Sequence, residues 1–160
     1  MAELTSWIEA NEPSIRGAAF LGVLIAMLLW EQMAPRRPRT LPRASRWLGN
    51  LGIAMLNTAI TRVVMPTAAV GMAATAMDGG FGLLNVVGLP FALTVLVAIL
   101  ALDLVVYLQH VMFHAVPVLW RLHRMHHADL EFDATTGVRF HPIEILLSMG
   151  LKIGVVAALG

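Results

Sequence analysis

Hydrophobic residues gather along this chain into four long runs, separated by short polar or glycine-punctuated connections. Ile15–Trp30 reads IRGAAFLGVLIAMLLW, with Arg16 and Glu31 near its ends. Trp47–Met77 is longer and is interrupted by Arg62 and Pro66. Proline removes a helical hydrogen bond and bends the chain, so this run predicts one long bent helix or a helix followed by a half-helix. Phe91–Phe113 follows Pro90, and Ile143–Gly160 forms the fourth run. Crossing the hydrocarbon of a bilayer takes roughly 20 mostly apolar residues per helix. The pattern therefore predicts an all-α transmembrane helical bundle of about four spans. Between the second and third, DGGFGLLNVVGLP (Asp78–Pro90) reads as an apolar loop at the interface.

Composition agrees. Apolar residues make up 58% of the chain and charged residues 13%, with a mean hydropathy of +0.76. Soluble domains carry about a quarter charged residues, so this chain has too little polar surface to face water all round. Its length suits a single membrane domain over residues 1–160. Cysteine is absent, which excludes disulfides, thiolate metal sites, iron–sulfur clusters and cysteine nucleophiles.

The formal charge of +1 says little as a sum, but its distribution orients the chain. The loop Ala34–Arg46 carries Arg36, Arg37, Arg39, Arg43 and Arg46 with no acid, bracketed by Trp30 and Trp47. Basic loops stay on the cytoplasmic side and tryptophans favour the interface. The reading is a multi-pass integral membrane protein with its N-terminus outside and its arginine loop inside. A short loop between spans explains these arginines without nucleic acid as a partner. Met1–Pro13 is acidic and lacks the basic start of a signal peptide, so a mature N-terminus is expected. The end of the third run then returns to the cytoplasmic face.

That end holds the chemistry. All six histidines lie between positions 110 and 141. His110 and His114 are four apart, and on a helix such residues share a face; Asp103 and Tyr107 continue the same stripe. His123, His126 and His127 repeat the arrangement at spacings of three and four. His141 precedes Pro142 and Glu144, which read as N-cap, N1 and N3 of the last helix. A lone histidine at an interface is an anchor or a packing residue, and His141 taken alone reads so. HxxxH followed by HxxHH points instead to metal, because neutral imidazole is the commonest metal-binding side chain. Imidazole suits zinc, copper, iron and nickel alike. An HExxH zinc protease is excluded, since neither pair has glutamate after its first histidine. Asp103, an intramembrane carboxylate, reads as a second-layer partner of a histidine ligand or as the ion-pair partner of Arg62. Asn50, Asn57 and Thr61 predict helix–helix hydrogen bonds, and Trp120 with Arg121 an anchor at the headgroups.

DLVVYLQHVMFHAVPVLWRLHRMHHAD (Asp103 onward), followed by TTGVRFHPIE, resembles the sterol desaturase/fatty acid hydroxylase superfamily of integral-membrane di-iron oxygenases. The two boxes joined by a short PxLWRxH segment carry the resemblance, with RFHPxE beyond them; its core covers residues 91–160. The resemblance implies non-haem di-iron held by His110, His114, His123, His126, His127 and His141 at the cytoplasmic face, with zinc as a substitute metal. It implies O2, a membrane lipid substrate of fatty acyl or sterol type, hydroxylation or desaturation of a C–H bond, and electrons from a separate electron-transfer protein. The family has a third histidine box, and about eight or more histidines, where this sequence has six. The expectation is therefore an amino-terminal fragment with an incomplete metal site. Two other readings stand beside it: a membrane b-type haem protein, and an inactive metal-binding membrane protein.

Overall fold

A computed structural model describes residues 2–36, 38, 42–66 and 68–160, with the side chains of 2–6, 8, 9 and 68 excepted. Arg37 and Arg39 of the basic loop lie outside the described residues. The described residues are mostly helical, with no strand among them. Its helices are α1 (Ala2–Met33), α2 (Arg43–Val64), α3 (Ala68–Gly79), α4 (Leu83–Val87), α5 (Phe91–Ala115), α6 (Pro117–His123) and α7 (Pro142–Leu159). Between α6 and α7 lie two 3₁₀ turns, His126–Ala128 and Ala134–Val138.

Four helical segments are long and apolar enough to cross a membrane: Ala10–Met33, Arg43–Val87, Phe91–Ala115 and Pro142–Leu159. The second comprises α2 to α4. The chain leaves the helix at Met65 and Pro66 and resumes it at Ala68, so Trp47–Met77 is a span followed by a half-helix. The interface loop expected at Asp78–Pro90 contains the single turn α4. Gly82 enters that turn at φ 100°, and a side chain there would collide with the backbone of Gly160 at the end of α7.

The buried residues are the reverse of a soluble core. Ala76, Leu84 and Phe113 are the apolar ones among the described residues, whereas Asn50, Asn57, Gln109, His123, Asp133, Thr135, Thr136 and Glu144 are all buried. Val63, Phe91 and Met55 are mostly exposed. Lipid solvates apolar side chains as well as a protein interior does, so polar groups are what the bundle hides.

Helix α7 is central and packs against α2, α3, α4, α5 and α6, while α1 packs against the turn 134–138. Helix α5 arrives at the histidine-bearing end and α7 leaves from it, so the two are antiparallel. The start of α2 reaches the same end. Asn57 on α2 donates to the Phe140 carbonyl at 2.9 Å, and Asn50 bonds the segment 129–135. The expected helix–helix bonds are thus helix-to-loop bonds, and Thr61 donates only to Asn57 of its own helix. Arg62 and Asp103 form no ion pair.

Candidate metal centre

Pro117 assembles the centre. The residue before a proline is driven out of the helical region, and Val116 is extended at φ −96°, ψ 118°, which ends α5 one residue after its second histidine, His114. Pro117 then starts α6 at a position where its missing N–H costs nothing. The reversal folds α6 back along α5. His123 comes to lie with its ring centroid 4.7 Å from that of His110 and 4.9 Å from that of His114.

Helix α6 ends at His123, and the chain tightens into the 3₁₀ turn His126–Ala128. On an uninterrupted helix both His126 and His127 would share the face of His123. The change of pitch separates them. His127 Nε2 stands 3.2 Å from His123 Nε2, whereas the His126 ring stacks flat on Phe140 with centroids 4.5 Å apart. His126 Nδ1 is buried without a hydrogen-bond partner.

The result is a four-imidazole cage. One nitrogen from each of His110, His114, His123 and His127 lies within 4.8 Å of all the others. His110 Nε2 and His114 Nε2 are 3.2 Å apart, as are the two nitrogens of the His123–His127 pair. Ligand nitrogens about 2 Å from a tetrahedral ion sit roughly 3.3 Å from one another, so both pairs already have ligand spacing. The donor set fits one metal ion of the kind imidazole prefers. Burial, followed by the neighbouring His110 and His114, holds the His123 imidazole down at about 4. Burial also lowers His127, with His123 adding to it. Both rings are therefore neutral near pH 7, as a metal ligand must be.

One wall of the cage is rigid and the other open. His123 is 1% exposed, and its Nδ1–H donates to Glu144 Oε1 at 2.7 Å. That bond fixes the tautomer and leaves Nε2 to face the cage. Phe113, also buried, closes the space behind His123. The rings of His110, His114 and His127 are exposed on the other side. Trp120, expected at the headgroups, lies over this opening with its ring 5.1 Å from His114 and 5.6 Å from His127.

Besides His126, two further residues of the expected set lie outside the cage. His141 caps α7, its Nδ1 accepting from the Ile143 N–H at 3.2 Å. Asp103 makes no hydrogen bond with a histidine; the carboxylate found beside one is Glu144. In the sequence Glu144 reads only as a favourable charge in a first turn. The available signal was that Glu144 is the only acid between positions 134 and 160.

Behind the cage, a polar network fastens the loop 129–139 to α2. Asp129 accepts a two-pronged bond from Arg46, at 2.8 and 2.9 Å, and further bonds from Asn50, Thr136 and the Glu131 N–H. Burial pushes the Asp129 carboxyl up, but these donors outweigh it and hold it at about 2. Asp133 Oδ1 accepts from the N–H and hydroxyl of Thr135, while Thr136 Oγ1 accepts from the Asp133 N–H, a capping box around the second 3₁₀ turn. Trp47 Nε1 donates to Asp133 at 3.1 Å. Arg46, which the sequence offers as one more positive loop charge, is thus nearly buried and structural.

The family model for Fatty acid hydroxylase matches residues 95–160, the segment that holds all six histidines, consistent with a member of the sterol desaturase/fatty acid hydroxylase superfamily. No curated protein and no solved structure matches the chain.

Proposed function

With the fatty acid hydroxylase domain spanning residues 95–160 as premise, we propose that this integral membrane protein takes part in metal-dependent oxidation of a lipid C–H bond by O2. The observation that carries the reading is the convergence of His110, His114, His123 and His127 on one point at the end of two apolar helices. These four residues would hold one non-haem iron, for which zinc can substitute. The family's second iron would draw on His126, whose buried Nδ1 is unpartnered, and on His141. Asp103 is proposed to act indirectly, through helix position. Bound iron supplies the one-electron chemistry that activates O2 toward an unactivated C–H bond.

The chain's own residues have definable tasks. Glu144 orients His123. Phe113 keeps water from the back of the cage. The exposed faces of His110 and His114 look out from α5, where an acyl chain or sterol can approach laterally from the bilayer. Electrons would come from a separate electron-transfer protein. The cage is proposed to lie on the cytoplasmic side with the N-terminus outside. In support, the start of α2, next to the arginine loop, meets the loop 129–139 directly.

A b-type haem suits this geometry poorly. A porphyrin needs a slot between its axial imidazoles: five of the six ring pairs in the cage lie 4.7–4.9 Å apart, and in the sixth, His110–His127 at 6.5 Å, the rings of His114 and His123 stand nearly equidistant from both and so occupy the plane between them.

The experiment is reconstitution of the full chain in lipid nanodiscs with iron(II), a chemical reductant and ¹⁸O₂. Mass spectrometry of the extracted lipids should find label in a lipid alcohol, or a new alkene, only when His123 is intact. Protein that binds iron stoichiometrically yet forms no oxygen-dependent product, with any of several lipid classes, would refute the oxygenase reading and leave a metal-binding membrane protein.

A further inference from the structure

Two ionisable residues sit deep in the apolar helices, away from the cage, and no task described so far uses their charges. Asp103 is exposed on α5 and Lys152 is half-buried on α7. Both line one lateral groove of about 410 Å³, whose other walls are Ala69, Ile99, Leu102, Val106 and Val156. Neither makes an ion pair or hydrogen bond with any described residue. Charges in a bilayer interior are costly and pair with one another.

The register of the two helices puts them at matching depth. Ser148 Oγ donates to Gln109 Oε1 at 3.3 Å, which aligns antiparallel α5 and α7 at that level. Asp103 precedes Gln109 by six residues and Lys152 follows Ser148 by four, about 9 Å and about 6 Å of helix. Both steps lead away from the cage. The remaining difference of about 3 Å is within reach of a lysine side chain, which extends its charge well beyond its own turn.

We propose that Asp103 and Lys152 form an intramembrane ion pair across this groove, clamping α5 to α7. The clamp has a consequence for the centre, and this part rests on the metal-site reading. Helix α5 carries His110 and His114, while α7 carries Glu144, which orients His123. Holding the helices in register therefore holds two ligands against the carboxylate that aims a third. Asp103 and Lys152 are positioning residues; they touch neither metal nor substrate.

The test is a double-mutant cycle on the full chain in detergent, reading thermal unfolding of metal-free protein and cobalt(II) affinity of the same samples. Asp103→Asn and Lys152→Met should each lower the unfolding midpoint, and the double variant should fall no further than the worse single. Each single should weaken cobalt binding about fivefold or more, again without additivity. The exchange D103K/K152D should restore both readouts, which loss of ordinary packing would not allow. Additive singles without rescue overturn the clamp, whatever the metal does. Coupled unfolding in protein that binds no cobalt keeps the clamp and overturns the metal-site reading. Because the chain has no cysteine, D103C/K152C can be treated with a short bis-maleimide. A linked monomer is expected, and a covalent dimer overturns pairing within one chain.

Discussion

Glu144 accepts the Nδ1–H of His123 at 2.7 Å, joining the first turn of α7 to the last residue of α6 across 21 positions of chain. The contact turns a histidine that could point either nitrogen inward into one that presents Nε2 to the cage. A carboxylate behind a ligand histidine both orients the ring and raises its basicity.

Removing the acceptor should therefore damage metal binding more than folding. Glu144→Gln is expected to weaken cobalt(II) or zinc affinity by about 10–100-fold, measured by competition against a chelator. His123→Ala should abolish the four-nitrogen site. An unchanged affinity for Glu144→Gln would show that the ring needs no such support.

Arg46 lies on α2, yet it holds the loop that follows the cage. Its guanidinium meets Asp129 and lies 3.1 Å from Asp133, with its side chain 10% exposed. Arg46→Met leaves two buried carboxylates without their cation, and breaking such a pair costs about 3–5 kcal/mol. The midpoint of thermal unfolding in detergent should fall accordingly, with cage affinity falling alongside it as the loop loosens. A midpoint within error of the parent protein would mean that Asn50 and Thr136 suffice to hold Asp129.

Acid should unfold the metal-free protein in two windows. His123 is held at about 4 against an ordinary 6.5, so the unfolded chain takes the proton first. Stability then declines from about pH 6.5 to pH 4, where the native ring also protonates and this loss levels off. Asp129 is held at about 2 against an ordinary 3.8. Its contribution is present above about pH 4 and disappears as pH falls through 2. Unfolding midpoints followed against pH should lose the lower limb in Asp129→Asn, whereas His123→Phe should shrink the upper limb, to which His126 and His127, also lowered by burial, contribute the remainder. A single limb common to all three proteins would contradict the assignment.

Trp120 reports on the centre directly. Its ring is 5.1 Å from His114 and 6.2 Å from His123, within contact range of a bound ion's ligands. In protein with Trp7, Trp30 and Trp47 replaced by phenylalanine, paramagnetic cobalt(II) should quench the remaining emission with the stoichiometry of binding, and diamagnetic zinc should not. Equal responses to the two ions would place Trp120 away from the metal.

The apolar runs and the histidine spacing made much of this readable without coordinates. Each span needs only its own length and hydropathy, and the i, i+4 relation of His110 and His114 is local to one helix. Helical periodicity alone does not place His126, because α6 ends at His123 and a turn of different pitch follows. It also could not find Glu144, Asp129 or Asp133. Their roles depend on partners 21, 83 and 86 positions away along the chain, and a lone acid in a loop looks the same whether solvated or bound.

What the chain determines by itself is therefore short-range: apolar lengths suited to a bilayer, a break at Pro66, a capped start at Pro142 and imidazoles in pairs on helical faces. Lipid and backbone hydrogen bonding enforce these features wherever the segments lie relative to one another. Only the tertiary structure decided which four histidines meet, which carboxylate stands behind them and which arginine leaves the surface to hold the loop. Those choices follow from the reversal at Val116–Pro117 and from the packing of α7 against α5. Distance in space is set there by helices whose contacts no local pattern encodes.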